Sequence, residues 1–431
     1  MPLPIHTLDG TQSTVDDEFI DALAASLRGD IVRPDDSAFD ETRQIWNAMI
    51  DRRPGLIVRC RGAADVMQAV RFVREHGLLF SIRGAGHNIA GKALVEGGVL
   101  IDLSGMTSVH VDPETRRVRA EPGVTLGDLD RETQAFGLAV PVGINSTTGI
   151  AGLTLGGGFG WLSRTYGMTI DSLLSVDLVT AEGERIRASE DENPDLFWAL
   201  RGGGGNFGIV TSFEYVGHPV GPELFAGLIV HPFENARELL GAYRTLCAEA
   251  PDELSVWSVL RHAPPLPFLP EAWHGKMVMV FAMLYAGDVA DAESAAAPFR
   301  ALGNPVGEHL GPMPLVAWQA AFDPLLTPGA RNYWKSHNFD TLSDEALDTV
   351  VEYAGNLPSA QSEIFVAQMG GQTSRVAKDA TAYLHRDVNF ILNVHTRWDD
   401  PSEDTTCIDW ARAFFDASAP YATGGVYILS L

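Results

Sequence analysis

Apolar positions recur at helical spacing in DDEFIDALAASLR (16–28), and the acids that open this stretch suit a helix N-terminus, so the pattern predicts a first helix there. LIVRC (56–60) predicts a strand. AADVMQAVRFVREHG (63–77) returns to helical spacing and closes on Gly77, after which LLFSIR (78–83) predicts another strand. Beyond the glycine loop GAGHNIAG (84–91), GGVLIDLS (97–104) reads as a strand and VHVDPETRRVRAEPG (109–123) as strand, turn, strand. A helix is expected over TLGDLDRETQAF (125–136), a second glycine loop over GIAGLTLGGGFGWLSRTYG (149–167) and a hairpin over DLVTAEGERIRAS (177–189). A third glycine run, RGGGGNFGIVTSFEYV (201–216), leads into a strand.

This order bears on the fold. A Rossmann site needs its glycine loop to open a helix whose N-terminus meets the pyrophosphate. Here a strand follows the first loop, so that fold is disfavoured. After about residue 217 glycine thins out, and HAPPLPFLPEAW (262–273) and GPMPLVAW (311–318) bring in proline and tryptophan. Apolar runs in FAGLIVHPF, MVMVFAMLYAG, SEIFVAQMGG and VNFILNVHT alternate with helical stretches such as ENARELLGAYRTLCAEA and LSDEALDTVVEYAG. The second part is therefore expected to be an α+β domain with a substantial sheet.

Length and composition narrow the class. A chain of 431 residues with 45% hydrophobic and 20% charged residues has room for two or three globular domains. No apolar run is long enough for a membrane span, and MPLPIHTLDG does not read as a secretory leader, so a cytoplasmic location is expected. The net charge of −25 argues against nucleic acid or an anionic membrane as partner, because both require a basic face. Cys60, Cys247 and Cys407 lie too far apart for a local metal site or disulfide framework and read as small buried hydrophobes. No metal is expected, since the histidines show no metal-binding spacing, and the absence of G-x-S-x-G argues against a serine hydrolase.

Glycine tolerates positive φ and lets backbone N–H groups approach a ligand, so a glycine run can cradle phosphate oxygens. One such run means little, but three beside strands in one half of the chain point to a dinucleotide in an extended groove. SIRGAGHNIAG, PVGINSTTGIAGLTLGGGFGWLSRTYG and NPDLFWALRGGGGNFGIVTSFEY resemble the FAD-domain signatures of the berberine-bridge-enzyme-like oxidases, within the vanillyl-alcohol-oxidase and p-cresol-methylhydroxylase superfamily. The likeness runs from about residue 40 to 216, with a looser continuation to GGVYI (424–428), and IWNAMIDRRPGLIVRC reads closest to the bacterial branch that tailors secondary metabolites.

The resemblance implies an α+β protein: a two-lobed FAD domain over 1–216, completed by about 401–431, and a substrate domain over 217–400 whose large antiparallel sheet roofs the flavin. It implies FAD attached covalently through His87, held by Arg83, Gly84, Ala85, Gly86 and Asn88 of the same loop. Further cofactor contacts fall on Gly143, Asn145, Ser146, Thr147, Thr148, Gly149, Gly152, Gly156, Gly157, Gly158, Phe159, Gly160 and Trp161, and on Asn206, Gly208, Ile209 and Val210. Asn145 stands where many relatives carry a second, cysteine tether, so a single linkage is expected.

The implied activity is two-electron oxidation of a small alcohol, sugar or secondary-metabolite intermediate, with the flavin reoxidised by O2. The same motifs serve dehydrogenases with another acceptor, and a catalytically impaired FAD-binding protein would carry them too. Such an oxidation also calls for a base to take the substrate's proton. Candidates are Tyr427, Glu363, Tyr333 and His395, with His337 a further one, while Trp161 and Tyr166 are expected to pack at the cofactor and Asp102 and Asp171 to be structural. Tyr427 matches the family's Y-x-N segment, but Leu429 replaces its asparagine, and the family continues well beyond the position of Leu431.

Overall fold

The computed structural model describes residues 2–427. Its first lobe centres on a mixed sheet of β1 (Asp30–Val32), β2 (Leu56–Arg59), β3 (Phe80–Arg83) and β4 (Val99–Asp102), in the order β1-β2-β4-β3. β4 is parallel to both β2 and β3. Leu56, Ile57 and Val58 are all fully buried, the uninterrupted apolar run of a strand covered on both faces. Helix α1 (Ala63–Glu75) supplies the crossover between β2 and β3. It buries Val66, Ala69, Val70 and Val73 on one face and ends before Gly77, whose φ of +62° suits glycine.

The second lobe is an antiparallel sheet of β5 (Val109–Asp112), β6 (Arg117–Ala120), β7 (Leu173–Val179), β8 (Arg185–Ser189) and β9 (Ile209–Val216), in the order β8-β7-β9-β6-β5. Helix α2 (Leu126–Gln134) is capped by the Thr125 hydroxyl, which accepts from the Asp128 N–H at 3.3 Å. Such a cap stabilises a helix by about 1 kcal/mol. Within the second glycine loop the chain winds a short helix, α3 (Ile150–Leu155), where an open loop was expected.

The third unit is a seven-stranded antiparallel sheet of β10 (Glu223–Pro232), β11 (Leu254–His262), β12 (Met277–Tyr285), β13 (Gly307–Pro314), β14 (Arg331–Phe339), β15 (Glu363–Gln368) and β16 (Phe390–Trp398). Its order is β13-β10-β12-β11-β15-β16-β14. Helices α4 (Ala236–Glu249), α5 (Val289–Arg300), α6 (Asp344–Ala354) and α7 (Asp404–Ser418) cover one face, packing Leu240, Phe299, Leu347 and Phe414 against Phe281 and Leu392. The opposite face meets the second glycine loop through Phe159, Trp161, Trp257, Leu284 and Ile391. Of the stretch 401–431, expected to complete the FAD domain, the described part divides: α7 lies on the helical side of the large sheet, and the chain at Tyr427 reaches the glycine loops. Leu429 and Leu431 lie outside the described residues. Among those described, no helix is long and apolar enough to cross a membrane.

Candidate active site

Strand β3 delivers the first glycine loop, and its last residue is already committed. The buried Arg83 guanidinium donates to both carboxylate oxygens of Asp102 (2.9 and 2.7 Å) and to the carbonyls of Thr42 and Gln44 (2.6 and 3.1 Å). This corrects its expected role as a cofactor ligand: all three guanidinium nitrogens are engaged within the protein, and the ion pair fixes the loop from below. Asp102 is structural, as expected. Past Arg83, the N–H groups of Ala85, Gly86, His87 and Asn88 have no hydrogen-bond acceptor among the described residues. Gly86 has a φ of +76°, the conformation that lets successive N–H groups converge on an anion.

The second loop closes against the first. A Cβ on Gly149 would lie 2.7 Å from the Ala85 Cβ, while one on Gly152 would meet open space. Asn145 Nδ2 lies 3.4 Å from His87 Nε2, and its Oδ1 accepts from the N–H and hydroxyl of Thr147 (3.0 and 2.8 Å). Thr148 bonds through its backbone to Leu126 and Asn145, and Gly143 offers its carbonyl to Gln319. Ser146 departs from its expected role, because its N–H and hydroxyl both donate to the Asp323 carboxylate and leave no donor for a cofactor. Gly156, Gly157, Gly158 and Gly160 form the tight exit from α3, with φ of +117° at Gly157 and +73° at Gly158.

Phe159 and Trp161 are buried in the seam with the large sheet, Trp161 with its ring 4.6 Å from Trp257 and 5.2 Å from Trp318. Tyr166 stacks on His218 at 4.4 Å, at the far side of that loop. In the third run Gly204 donates to the Leu155 carbonyl, so this run touches the end of α3. Asn206 is exposed and donates to Gly203, Gly208 opens β9, and Ile209 and Val210 point their side chains into the cores. Asp171 holds the buried Arg386 through two bonds (2.7 and 2.8 Å), a structural pair as expected.

His87 is half-buried. Its ring stacks on Trp46 at 4.3 Å and lies 6.4 Å from Trp334 of β14. Burial lowers its pKa to about 4, so the imidazole is neutral at physiological pH. The large sheet faces this ring with a row of side chains set by strand register. Trp334 pairs with His395, His395 with Glu363, and Glu363 with Arg261. His395 is 4.2 Å from Trp334 by ring centroids, its Nδ1 is 3.1 Å from Glu363 Oε1, and Arg261 Nη1 reaches Glu363 Oε2 at 2.5 Å.

Burial would push the Glu363 carboxyl up, but the Arg261 charge and the His395 hydrogen bond together hold it at about 2. An ionised carboxylate only accepts, so the His395 proton sits on Nδ1 and the Nε2 lone pair is free. Burial also lowers the His395 pKa, against the pull of Glu363.

Two of the expected bases are excluded by the sheet. Tyr333 and His337 alternate with Trp334 and Ser336 along β14 and therefore point to the helical side, where Arg412 Nε lies 3.3 Å from the Tyr333 hydroxyl and the Phe415 carbonyl lies 2.8 Å from His337 Nε2. Tyr427 does reach the glycine loop, with its hydroxyl accepting from the Gly158 N–H at 3.2 Å. Burial raises its pKa, however, and a phenol held neutral is a poor base. Trp46, Trp334, Arg261 and Arg397 were not singled out in the sequence. The signal was present as charges and aromatics inside apolar strand runs, SVWSVLRH and ILNVHTRW.

The residues present fit FAD. The first loop offers four unpaired N–H groups, His87 is neutral, and the sheet facing it carries the buried, unpartnered atoms Trp334 Nε1, Asn393 Oδ1 and His395 Nε2. Buried polar atoms are rarely left unpaired in a native protein, so such a set marks a ligand's place. Fold and cradle together define an FAD-dependent oxidoreductase.

Comparison with known proteins gives the family. The FAD binding domain profile matches residues 54–189. FAD-linked oxidoreductase pgmH of Aspergillus terreus is 32% identical over 412 residues, covering 91% of this chain and 82% of that protein. (R)-6-hydroxynicotine oxidase of Paenarthrobacter nicotinovorans is 37% identical over 289 residues, which are 67% of this chain and 62% of that protein. The solved structure of Physcomitrella patens BBE-like 1 superposes with a TM-score of 0.86 at 22% identity, covering 96% of this chain and 91% of that one, a likeness of fold. The chain belongs to the FAD-linked oxidoreductases, and it shares its fold with berberine-bridge-enzyme-like proteins.

Proposed function

We propose that this chain is an oxidase that holds FAD covalently through His87, oxidises a small alcohol, sugar or secondary-metabolite intermediate, and passes the electrons to O2. Residues 1–216 serve the cofactor and 217–400 the substrate. The observation that carries the reading is His87 itself: a neutral, half-buried imidazole at the tip of a glycine loop, stacked on Trp46 and facing the polar row of the large sheet. A neutral ring nitrogen has the lone pair that a covalent bond to carbon requires, and burial keeps it unprotonated across physiological pH.

When bound, the flavin supplies the hydride acceptor. The proton that leaves the substrate with the hydride goes to His395 Nε2. Glu363, fixed by Arg261, holds the opposite nitrogen and offsets the positive charge that the ring gains. Trp46 and Trp334 exclude water from the same space and restrict the substrate's approach to one face.

The test is to denature the holoenzyme in acid, remove small molecules, and record flavin absorbance and intact mass on the polypeptide. One FAD mass mapping to the His87 peptide is expected, lost in His87→Ala. Flavin retained by denatured His87→Ala would place the tether elsewhere. Hydrogen peroxide released in step with turnover is expected, and turnover only with an added acceptor would make the enzyme a dehydrogenase.

A further inference from the structure

Resting on the reading of this site as the substrate chamber, we propose that Arg397 recognises an anionic oxygen of the substrate, so that the natural substrate carries a carboxylate. Arg397 lies two residues after His395 on β16 and on the same face, with its guanidinium 5.3 Å over the Trp46 ring that stacks on His87. It is buried, and every partner it has is neutral. Nε donates to Gln361 Oε1 at 3.1 Å, Nη2 donates to the Thr327 carbonyl and hydroxyl at 2.6 and 3.1 Å, and Nη1 has no partner among the described residues. The nearest carboxylate along the chain, Asp399, accepts from Gln361 and acts on Arg397 only at a distance, without an ion pair.

Three neighbouring arginines are paired with acids, Arg83 with Asp102, Arg261 with Glu363 and Arg386 with Asp171, and buried Arg164, whose hydrogen bonds go to carbonyls, has Asp252 at 4.0 Å. A buried guanidinium costs several kcal/mol to desolvate and is normally offset by an opposite charge. Glu363 is already paired with Arg261, and Arg397 makes no ion pair among the described residues, so its Nη1 edge is left without an anionic partner. A carboxylate suits it twice, by charge and by geometry, since the guanidinium edge favours a planar pair of oxygens. Asn332 Oδ1 and Asn393 Oδ1, buried on the same face without partners, are free to accept from hydroxyl or N–H groups on the rest of the molecule. A cationic amine is disfavoured by the same charge.

The test uses oxidised holoenzyme titrated with benzoate, benzamide and benzylamine, three probes alike in shape that differ in charge, with flavin absorbance as the readout. Benzoate is expected to bind about ten- to a hundredfold more tightly than benzamide, the range of one charge-assisted contact, with benzylamine weakest. Arg397→Gln should abolish the benzoate preference and leave benzamide unchanged, and Arg397→Lys should restore part of it. If Arg397→Gln does not fold, the charge series on the wild type decides alone. Equal binding, tighter benzylamine, no perturbation by any probe, or a preference that survives Arg397→Gln would overturn the proposal. So would a variant that changes only the flavin's midpoint potential, which would assign the charge to the reduced cofactor. A chain that retains no flavin would instead sink the reading of the site itself.

Discussion

At the scale of single residues, the proposed chemistry depends on two histidines whose pKa values desolvation lowers, for different ends. His87 is the proposed anchor, and desolvation lowers its pKa to about 4, so it is neutral at physiological pH. His395 is the proposed proton acceptor, and its free nitrogen exists because Glu363 fixes the other one. The proposed base must be unprotonated to work, so flavin reduction should fall on the acid side, at a pH below the ordinary histidine value. Glu363 raises the His395 pKa, and its removal shifts that limb to lower pH while slowing the step. Stopped-flow reduction with any substrate that bleaches the flavin, followed against pH, should show this shift in Glu363→Gln. His395→Gln should reduce the rate about a hundredfold or more, as expected for loss of a positioned base, without releasing the flavin. An unaltered rate in His395→Gln would move the base elsewhere.

At the scale of elements, α2 carries a residue that the fold uses against the usual rule. Asp130 lies on the buried face of the helix, lining a small void with Val140, Trp161 and Gln319, and burial alone raises its pKa to about 8. Its Oδ2 and the Trp161 Nε1 both lack partners among the described residues. Because the folded state holds this proton far more tightly than the unfolded chain, the stability it contributes is full below about pH 4. It is lost progressively as pH rises through 8. Asp130→Asn should therefore flatten the decline of stability over that window by a few kcal/mol, measured as urea midpoints at a series of pH values. Parallel pH profiles for wild type and variant would show that the carboxyl has a counter-charge in solution.

At the scale of the whole molecule, the cofactor lobes and the large sheet are joined by buried polar contacts as well as by aromatic packing. Arg164, from the second glycine loop, donates to the Leu254 carbonyl at 2.9 Å, to Met369, and to Ala250 and Pro251 at 3.2 and 3.3 Å. Asn47 bridges the first lobe to β14 through Asn332, and Arg386 reaches Asp171 from the other side. Such contacts hold His87 and His395 in register across the domain boundary. Arg164→Ala strands several buried carbonyls and should destabilise the fold by about 3 kcal/mol, seen as a lower thermal midpoint. The proposed His87 linkage should survive denaturation of this variant, since Arg164 does not touch the His87 loop. Arg164→Lys should recover only part of the loss, because a single ammonium cannot serve carbonyls on three segments.

Local signals in the sequence determined the elements whose pattern repeats within a few residues. Helices α1, α2 and α6, strands β2 to β9 and the three glycine loops follow from periodicity, capping and positive-φ demands, none of which needs a distant partner. The family resemblance rests on the same stretches, which is why the cofactor and the His87 loop were legible. The catalytic face was not. Arg261, Glu363, His395 and Trp334 come from four strands and become neighbours only through register, and the parity of β14 sends Trp334 toward His87 while turning Tyr333 and His337 to the helices. A one-residue slip would exchange those roles without altering any local signal. Arg83 and Ser146 were misread for a related reason: their partners, Asp102 and Asp323, are assigned by tertiary contact. Sequence fixes which side chains can hold a phosphate, a proton or a charge, whereas only the packed structure decides which of them remain unpaired and therefore free to do so.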